Sequence, residues 1–384
     1  MNAHTMTDLL QMQSLPLEAK IGMTRTRIKG WVNEYGQDGV YISFSGGKDS
    51  TVLLDIARNE CGYKDIPAVF VDVPTQYPEL RDFVKTFDNV EIIRPKISFM
   101  EVCEKYGFPL ISKEVSKAVY NAKKYMAKVE ELEEQGQNYQ QIVSGYWAFA
   151  DMTGIPRRQK DKEGELYQKL KIGIVPNEVI EKIGSKETPT HKDKYDKSKY
   201  KFLLQSKFNI SEMCCAIMKK SPVHNYRNKT GRNPITAQMA DESELRTQSW
   251  LRHGCNGFNR KTPTSNPMSF WTEQDILQYI KTRNLPICSV YGDVIIDYDK
   301  MGELNGQSFL FETGDEPLKT TGCKRTGCML CGFGCHSKGD TRFLDLKETH
   351  PKMYGLLDVV KNNGVTFREA IEWTNEHGNL DIKL

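Results

Sequence analysis

No run of 18 consecutive apolar residues occurs anywhere in the 384 residues, so no membrane-spanning helix is expected. An excess of charge of one sign is also missing. The formal balance is +3, which for this length neither demands nor excludes a small anionic ligand or a nucleic acid. Met1 to Leu17 lacks a basic segment followed by a long apolar core, so no signal peptide is expected. No internal repeat is evident. The ten cysteines are clustered rather than scattered. Without a secretion signal, that pattern favours metal or redox chemistry over a disulfide framework. The expectation is a cytoplasmic protein long enough to bury a sizeable core, as one large domain or two.

The most informative stretch is Ser45-Gly46-Gly47-Lys48-Asp49-Ser50. It follows Val40-Tyr41-Ile42-Ser43-Phe44, which reads as a buried strand, and precedes Thr51-Val52-Leu53-Leu54-Asp55-Ile56-Ala57, which is helix-compatible. Strand, glycine turn and helix together make a phosphate site. Glycines let backbone N–H groups approach an anion, and the helix N-terminus adds partial positive charge. Lys48 supplies a mobile cation, and Ser45, Ser50 and Thr51 supply hydroxyls. The pattern is not a Walker loop, because Asp49 follows Lys48 and the first glycine lies too close.

Downstream, Ala68–Val73 and Val90–Ile93 read as strands and Pro78–Phe87 as a helix, after an amphipathic helix at 18–35. This alternation predicts an α/β fold: a doubly wound, mostly parallel sheet with helices on both faces. Ligands of such sheets sit at the carboxyl ends of the strands, which puts the 45–50 loop and the Asp72–Tyr77 loop on one rim. Asp72 is then a nucleotide or magnesium contact, or a strand-end cap. Long Lys-, Glu- and Gln-rich helices are expected at 112–150, and a basic insertion at 156–201. There the run His191 to Lys201 interleaves lysine with tyrosine, as a segment tracking a nucleic-acid backbone or a solvated loop does. Two helices are expected at 349–362 and 366–377. The expected organisation is a helical lead-in (1–37), a nucleotide-binding α/β domain (38–300) with an insertion at about 112–205, and a Cys-rich segment with C-terminal helices (301–384).

Cys214 and Cys215 are adjacent, and Cys323-x4-Cys328-x2-Cys331-x3-Cys335 follows among glycines. Thiolates at C-x2-C spacing can grip one metal centre. The ligands are either the local four, Cys323, Cys328, Cys331 and Cys335, suiting zinc or a cluster, or Cys214 and Cys215 with Cys328 and Cys331.

The 45–50 loop resembles the SGGxDS pyrophosphate loop (PP-loop) of the ATP pyrophosphatase, or adenine nucleotide alpha-hydrolase-like, superfamily. That resemblance implies an adenine nucleotide held or cut between its α- and β-phosphates. Cys214, Cys215, Lys219 and Pro222 are similar to the Cys-Cys-x-x-x-Lys-x-x-Pro motif of bacterial adenylylsulfate reductases. It implies one [4Fe–4S] cluster on Cys214, Cys215, Cys328 and Cys331, zinc being the other candidate, with Lys219 near cluster and substrate. Pro234–Ala240 reads as a strand running into Asp241–Ser249, similar to the segment of phosphoadenylylsulfate (PAPS) reductases in which an arginine meets the substrate's anionic group. Arg246 is the matching position and Arg252 a weaker one. An arginine fork suits sulfate or phosphate oxygens. Pro267–Leu277 resembles the family's Trp-Thr segment, with Thr272 as N-cap and Asp275 at N3, a structural element. These motifs come in family order over about 38–335, and the chain is identified as a member of the PAPS reductase family.

Two departures matter. The family's attacking cysteine lies in a C-terminal Glu-Cys-Gly-x-His segment, whereas this chain has no cysteine after Cys335, and Gly334 precedes Cys335-His336. Cys255 and Cys335 are the replacements to weigh. The full SGGKDS loop also looks more like the ATP-using branches: sulfate adenylyltransferase small subunits, tRNA thiolation enzymes and DNA phosphorothioation enzymes. Three functions follow. One is a sulfonucleotide reductase with a thiol reductant, in which Lys48, Lys219 and Arg246 act on the reacting group. The second is an ATP–Mg2+ adenylating sulfurtransferase with a sulfur donor and a tRNA or DNA substrate. The third is a nucleotide and cluster sensor without turnover.

Overall fold

A strand with no polar face has to be covered on both sides. In the computed structural model, which describes residues 4–135, 148, 151–152, 197–300 and 316–384, the apolar run after Gly39 is such a strand, β1 (Val40–Ser43). The chain continues through β2 (Ala68–Val71) and β3 (Val90–Ile93), leaves for β4 (Leu110–Ile111), then returns for β5 (Asn233–Ile235), β6 (Asn256–Gly257) and β7 (Thr264–Ser265). The main sheet has the order β3-β2-β1-β5-β7-β6. All its pairings are parallel except β6 with β7. Side-chain alternation gives it two apolar faces. Val40, Ile42, Ala68 and Phe70 pack with the helices Leu17–Tyr35, Lys48–Asp55 and Glu273–Arg283; Tyr41 and Val69 meet Tyr226 of the helix Ser221–Thr230 on the other face. The expected doubly wound α/β sheet is present.

Contacts group the chain into two compact units. The first, Met1–Lys96 with Lys219–Cys328, holds this sheet and the antiparallel pair β8 (Val294–Ile296) and β9 (Leu318–Thr320). The helix Leu17–Tyr35 is fixed to it by polar bonds. Lys20 Nζ, almost fully buried, reaches both carboxylate oxygens of Asp275 at 2.7 Å. Trp271 Nε1 donates to Thr24 Oγ1 at 2.9 Å. Asp275 also closes the expected capping box with Thr272.

The second unit, Ile97–Met218 with Met329–Leu384, pairs β10 (Gly332–Phe333) parallel with β4 and carries the hairpin β11 (Lys361–Asn362) and β12 (Val365–Thr366). Phe108 stacks on Phe367, with ring centroids 4.7 Å apart. Lys123, on the helix Lys113–Glu134, donates to Ser206 O, Ser206 Oγ and Phe208 O, although burial pushes its ammonium down to about 8. No described helix is long and apolar enough to cross a membrane.

Several boundaries differ from expectation. β2 ends at Val71 because the chain turns, Val73 N donating to Gln76 Oε1. β5 ends at Ile235, its last residue paired with β1, opposite Ile42. The helix expected at 349–362 is shorter, Pro351–Tyr354 running into a 3-10 turn, Gly355–Asp358; a separate helix, Arg342–Thr349, ends before it at His350, because the residue before Pro351 avoids the helical region. The hairpin then turns at Asn363-Gly364, both at positive φ, a pair suited to a tight turn. The helix Phe367–Gly378 follows Thr366, close to expectation. Residues 136–147, 149–150 and 153–196, with most of the basic insertion, lie outside the described residues.

Stripping Asp275 of its buried cation leaves an uncompensated charge. Lys20→Ala is expected to cost about 3 kcal/mol in chemical denaturation, the range for breaking a buried pair. A change below 1 kcal/mol would mean that the pair is dispensable.

Candidate functional site

The loop after β1 is shaped by hydroxyls. Ser50 Oγ donates to Gly47 O at 2.9 Å and accepts from Ser45 N at 3.1 Å. Thr51 Oγ1 also donates to Gly47 O. Gly46 sits at φ +73°, and a Cβ there would lie 2.9 Å from Val84 Cγ2 and 3.3 Å from Leu80 O, so glycine is required for space as well as conformation. Gly47 caps the helix Lys48–Asp55 without a side chain. Ser45, Asp49 and Ser50 face a cavity of about 410 Å³ within the first unit. Ser43, Val71, Thr236 and Gln238 bring the carboxyl ends of β1, β2 and β5 to its wall, and Lys219 and Arg246 complete it. Strand order reverses around β1, between β2 and β5, which is where open parallel sheets bind ligands.

The cavity gathers residues that the sequence spaces almost two hundred positions apart. Arg246, on the helix Glu244–His253, pairs with Glu242, whose other bond is from Met239 N. Burial lowers the Arg246 guanidinium, and the charge of Arg325 lowers it further. Burial pushes the Asp49 carboxyl up, while Lys48, Arg325 and Arg246 pull it back. Asp49 Oδ1 is buried with no hydrogen-bond partner, its nearest cation being Lys48 Nζ at 3.8 Å. Such an oxygen fits a magnesium-bound phosphate or a ligand donor. Lys219 lies in a π-helical turn, Ala216–Lys220, that directly follows the Cys214-Cys215 pair. Inserted turns of this kind recur at functional sites.

Two expected ligand contacts sit elsewhere. Lys48 does not line the cavity: its ammonium, 4% exposed, donates to Lys324 O at 3.0 Å, pairs with Glu273 at 3.2 Å and lies over the Tyr291 ring. Both oxygens of Asp72 are engaged, one by Arg81 of the helix Pro78–Val84 at 2.7 Å and one by Arg94, just after β3, at 2.9 Å, and Asp72 does not line the cavity. Sequence reasoning missed Tyr291 and Thr326. Lys48 N donates to Tyr291 Oη at 3.3 Å, and that hydroxyl bonds Thr326 Oγ1 at 2.7 Å. Burial pushes the Tyr291 phenol up to about 12. The segment from Cys323 to Cys328 is thus tied to the glycine loop, and Cys328 bridges the backbone of Gln76, a cavity residue.

The thiols expected to hold a cluster fall in both units: Cys328 in the first, Cys214, Cys215 and Cys331 in the second. Among the described residues no three Cys, His, Asp or Glu side chains are grouped as a metal site. The donors themselves, four thiols, suit an iron–sulfur cluster or zinc. Neither replacement nucleophile is presented as a reactive thiol. Cys255 is buried in the main core. Cys335 is 1% exposed, donates to Gly332 O, and is pushed up to about 12 by burial. In the second unit, Arg342 braces the Cys331–Cys335 turn by donating to Cys331 O and Phe333 O.

The family model of the phosphoadenosine phosphosulfate reductase domain matches residues 39–165 and 175–332. Among solved structures, the chain is similar to the phosphate complex of phosphoadenylyl-sulfate (PAPS) reductase from Candida auris, at 10% identity and a TM-score of 0.33 over 82% of this chain and 98% of that one. That likeness is too distant to assign any residue. No curated protein matches the chain.

Because only the thiolate reacts, iodoacetamide at pH 8 should label the half-exposed Cys323 well before Cys335 or the buried Cys103, whose thiols burial holds protonated. Peptide mass spectrometry over a labelling time course reads the order. Early labelling of Cys335 would contradict its buried, protonated state.

Proposed function

The chain belongs to the phosphoadenosine phosphosulfate reductase domain family, and on that premise we propose that it is an enzyme that binds a sulfonucleotide in the cavity beside the 45–50 loop and reduces it to sulfite. One observation carries the reading: the cavity brings Ser45, Asp49 and Ser50 together with Lys219 and Arg246. A loop for phosphate oxygens and two cations for developing charge are what cleavage of a phosphate–sulfate anhydride needs.

On this reading the phosphate lies against the loop and the N-terminus of the helix Lys48–Asp55, and the sulfate faces Arg246 and Lys219. A thiolate bonds to the sulfate sulfur. The bond from that sulfur to the bridging oxygen breaks, and its electron pair leaves on AMP or its 3′-phosphate derivative. Arg246 and Lys219 offset the charge that builds there. A second thiol then releases sulfite and closes a disulfide. Among the described residues no cysteine lines the cavity, so both thiols come from a dithiol reductant. We further propose that Cys214, Cys215, Cys328 and Cys331 hold a [4Fe–4S] cluster, with zinc the other outcome. Such a cluster would carry or orient sulfur.

The unpartnered Oδ1 of Asp49 favours a second reading, in which ATP–Mg2+ is bound and a substrate oxygen is adenylated with loss of pyrophosphate. Protein purified without oxygen and given adenylyl sulfate, PAPS or ATP separately, with a dithiol, distinguishes the readings. Sulfite from a sulfonucleotide is the expected result. Arg246→Gln and Lys219→Met should each lower kcat/KM by about 10²-fold, the loss typical of one charge-stabilising group. ATP-dependent pyrophosphate release without sulfite would establish the second reading, and binding without either product would leave a sensor. Iron and sulfide content, with absorbance near ~400 nm, separates a cluster from zinc.

A further inference from the structure

The outer face of the helix Lys113–Glu134, in the second unit, has no part in the cavity. Lys113, Lys117, Tyr120, Lys124 and Lys128 recur every three or four positions, which puts them on one face. Val115, Ala118, Val119 and Ala122 lie opposite and are buried. The helix is therefore held by its apolar side and turns to solvent a row of lysines with one ring in its middle. At about 1.5 Å per residue, the row from Lys113 to Lys128 is about 22 Å long. A second ring stands beside it. Tyr106, the last residue of the helix Phe99–Tyr106, has its ring centroid 6.4 Å from that of Tyr120, with the planes tilted by 57°.

The carboxylates of this helix do not neutralise the row. Glu114 accepts from Lys197 Nζ at 2.9 Å, and Glu131 is matched to Lys128 at 2.8 Å. Lys105, Lys113, Lys117 and Lys124 are exposed, and among the described residues no carboxylate pairs with any of them. Two of these four sit on the rings instead. Lys105 Nζ lies 5.4 Å from the centroid of Tyr106, and Lys124 Nζ 5.6 Å from that of Tyr120. An exposed contact between an ammonium and a ring is worth less than a base stacked on that ring. A ligand offering both a phosphate and a base would draw each lysine onto the phosphate and free the ring for the base.

We propose that this face is a docking surface for single-stranded nucleic acid, with Lys113, Lys117 and Lys124 along the phosphates and Tyr106 and Tyr120 as the platform for bases. Paired rings and cations select that partner. An acidic protein segment would use the lysines and leave the rings idle. A duplex keeps its bases stacked on one another and offers the tyrosines nothing. A lipid surface needs large apolar side chains among the lysines, and this row has none. The proposal stands apart from the reading of the cavity, which lies in the other unit.

Fluorescence anisotropy of the full chain with labelled oligothymidine or oligouridine of about 15 nucleotides, over a range of salt concentrations, tests this. Wild type should bind, and a duplex of the same length should bind more weakly. Tyr120→Leu should lower affinity about tenfold with the salt dependence unchanged, as for loss of one stacked base, and Tyr120→Phe should keep wild-type affinity. The double variant Lys117→Gln/Lys124→Gln should make the slope of log affinity against log salt shallower by about 1.4, which corresponds to two phosphate contacts on a single strand. Both lysines are exposed, so this variant keeps the test decisive if Tyr120→Leu does not fold. No binding to either oligomer would overturn the proposal. So would binding that these variants leave unchanged, because the contact would then lie elsewhere on the chain. Competition by polyglutamate as strong as that by unlabelled oligomer would also overturn it, by marking a surface for acidic protein.

Discussion

The site depends on what Lys48 does with a buried charge. An ammonium taken out of water has to be paired and hydrogen-bonded or it is costly. Lys48 meets that requirement with partners from two other parts of the first unit, Glu273 at the start of a helix and the carbonyl of Lys324. Its backbone N–H adds a third tie through the Tyr291 hydroxyl to Thr326. One residue of the glycine loop thereby fixes the segment from Cys323 to Cys328 against the carboxyl end of the sheet. Read from the sequence, Lys48 is a mobile cation waiting for phosphate. In the structure it is a strut, and the cations on the cavity wall are Lys219 and Arg246.

The fold explains why these groups meet. A parallel sheet whose strand order turns around β1 opens a crevice at its carboxyl edge, and three strand ends supply the wall. Hydroxyls that satisfy Gly47 O from within the loop keep its shape without a ligand, so binding does not have to pay for ordering it. The cavity is then the right size and polarity for an anionic ligand with an apolar part: Phe44, Val69 and Val223 line it beside the serines and cations.

Much of this was legible because it is local. The strand–glycine–helix sequence at 40–55 states its own geometry, and Thr272 with Asp275 forms the expected cap. Lys219 and Arg246 were reached through motif resemblance, not spacing, since no local rule brings them to the loop. The remainder is carried by tertiary pairings without a sequence pattern. Tyr291 and Thr326 act from more than two hundred residues downstream of the loop they touch. Asp72 sits at the expected strand end, but Arg81 and Arg94 take both its oxygens, which strand-end position alone does not reveal. The tail differs for another reason. Asn363-Gly364 is a tight-turn pair that calls for flanking strands, and β11 therefore takes Lys361 and Asn362 from the end of the expected helix.

The central claim is that Lys48 holds the Cys323–Cys328 segment onto the glycine loop. Hydrogen exchange on wild type and Lys48→Met, read by mass spectrometry, tests it most directly. Exchange across 321–328 should rise in the variant, while β1, β2 and the helix Glu273–Arg283 keep their protection. Unchanged exchange in that segment, with the rest of the unit equally unaffected, would contradict the claim.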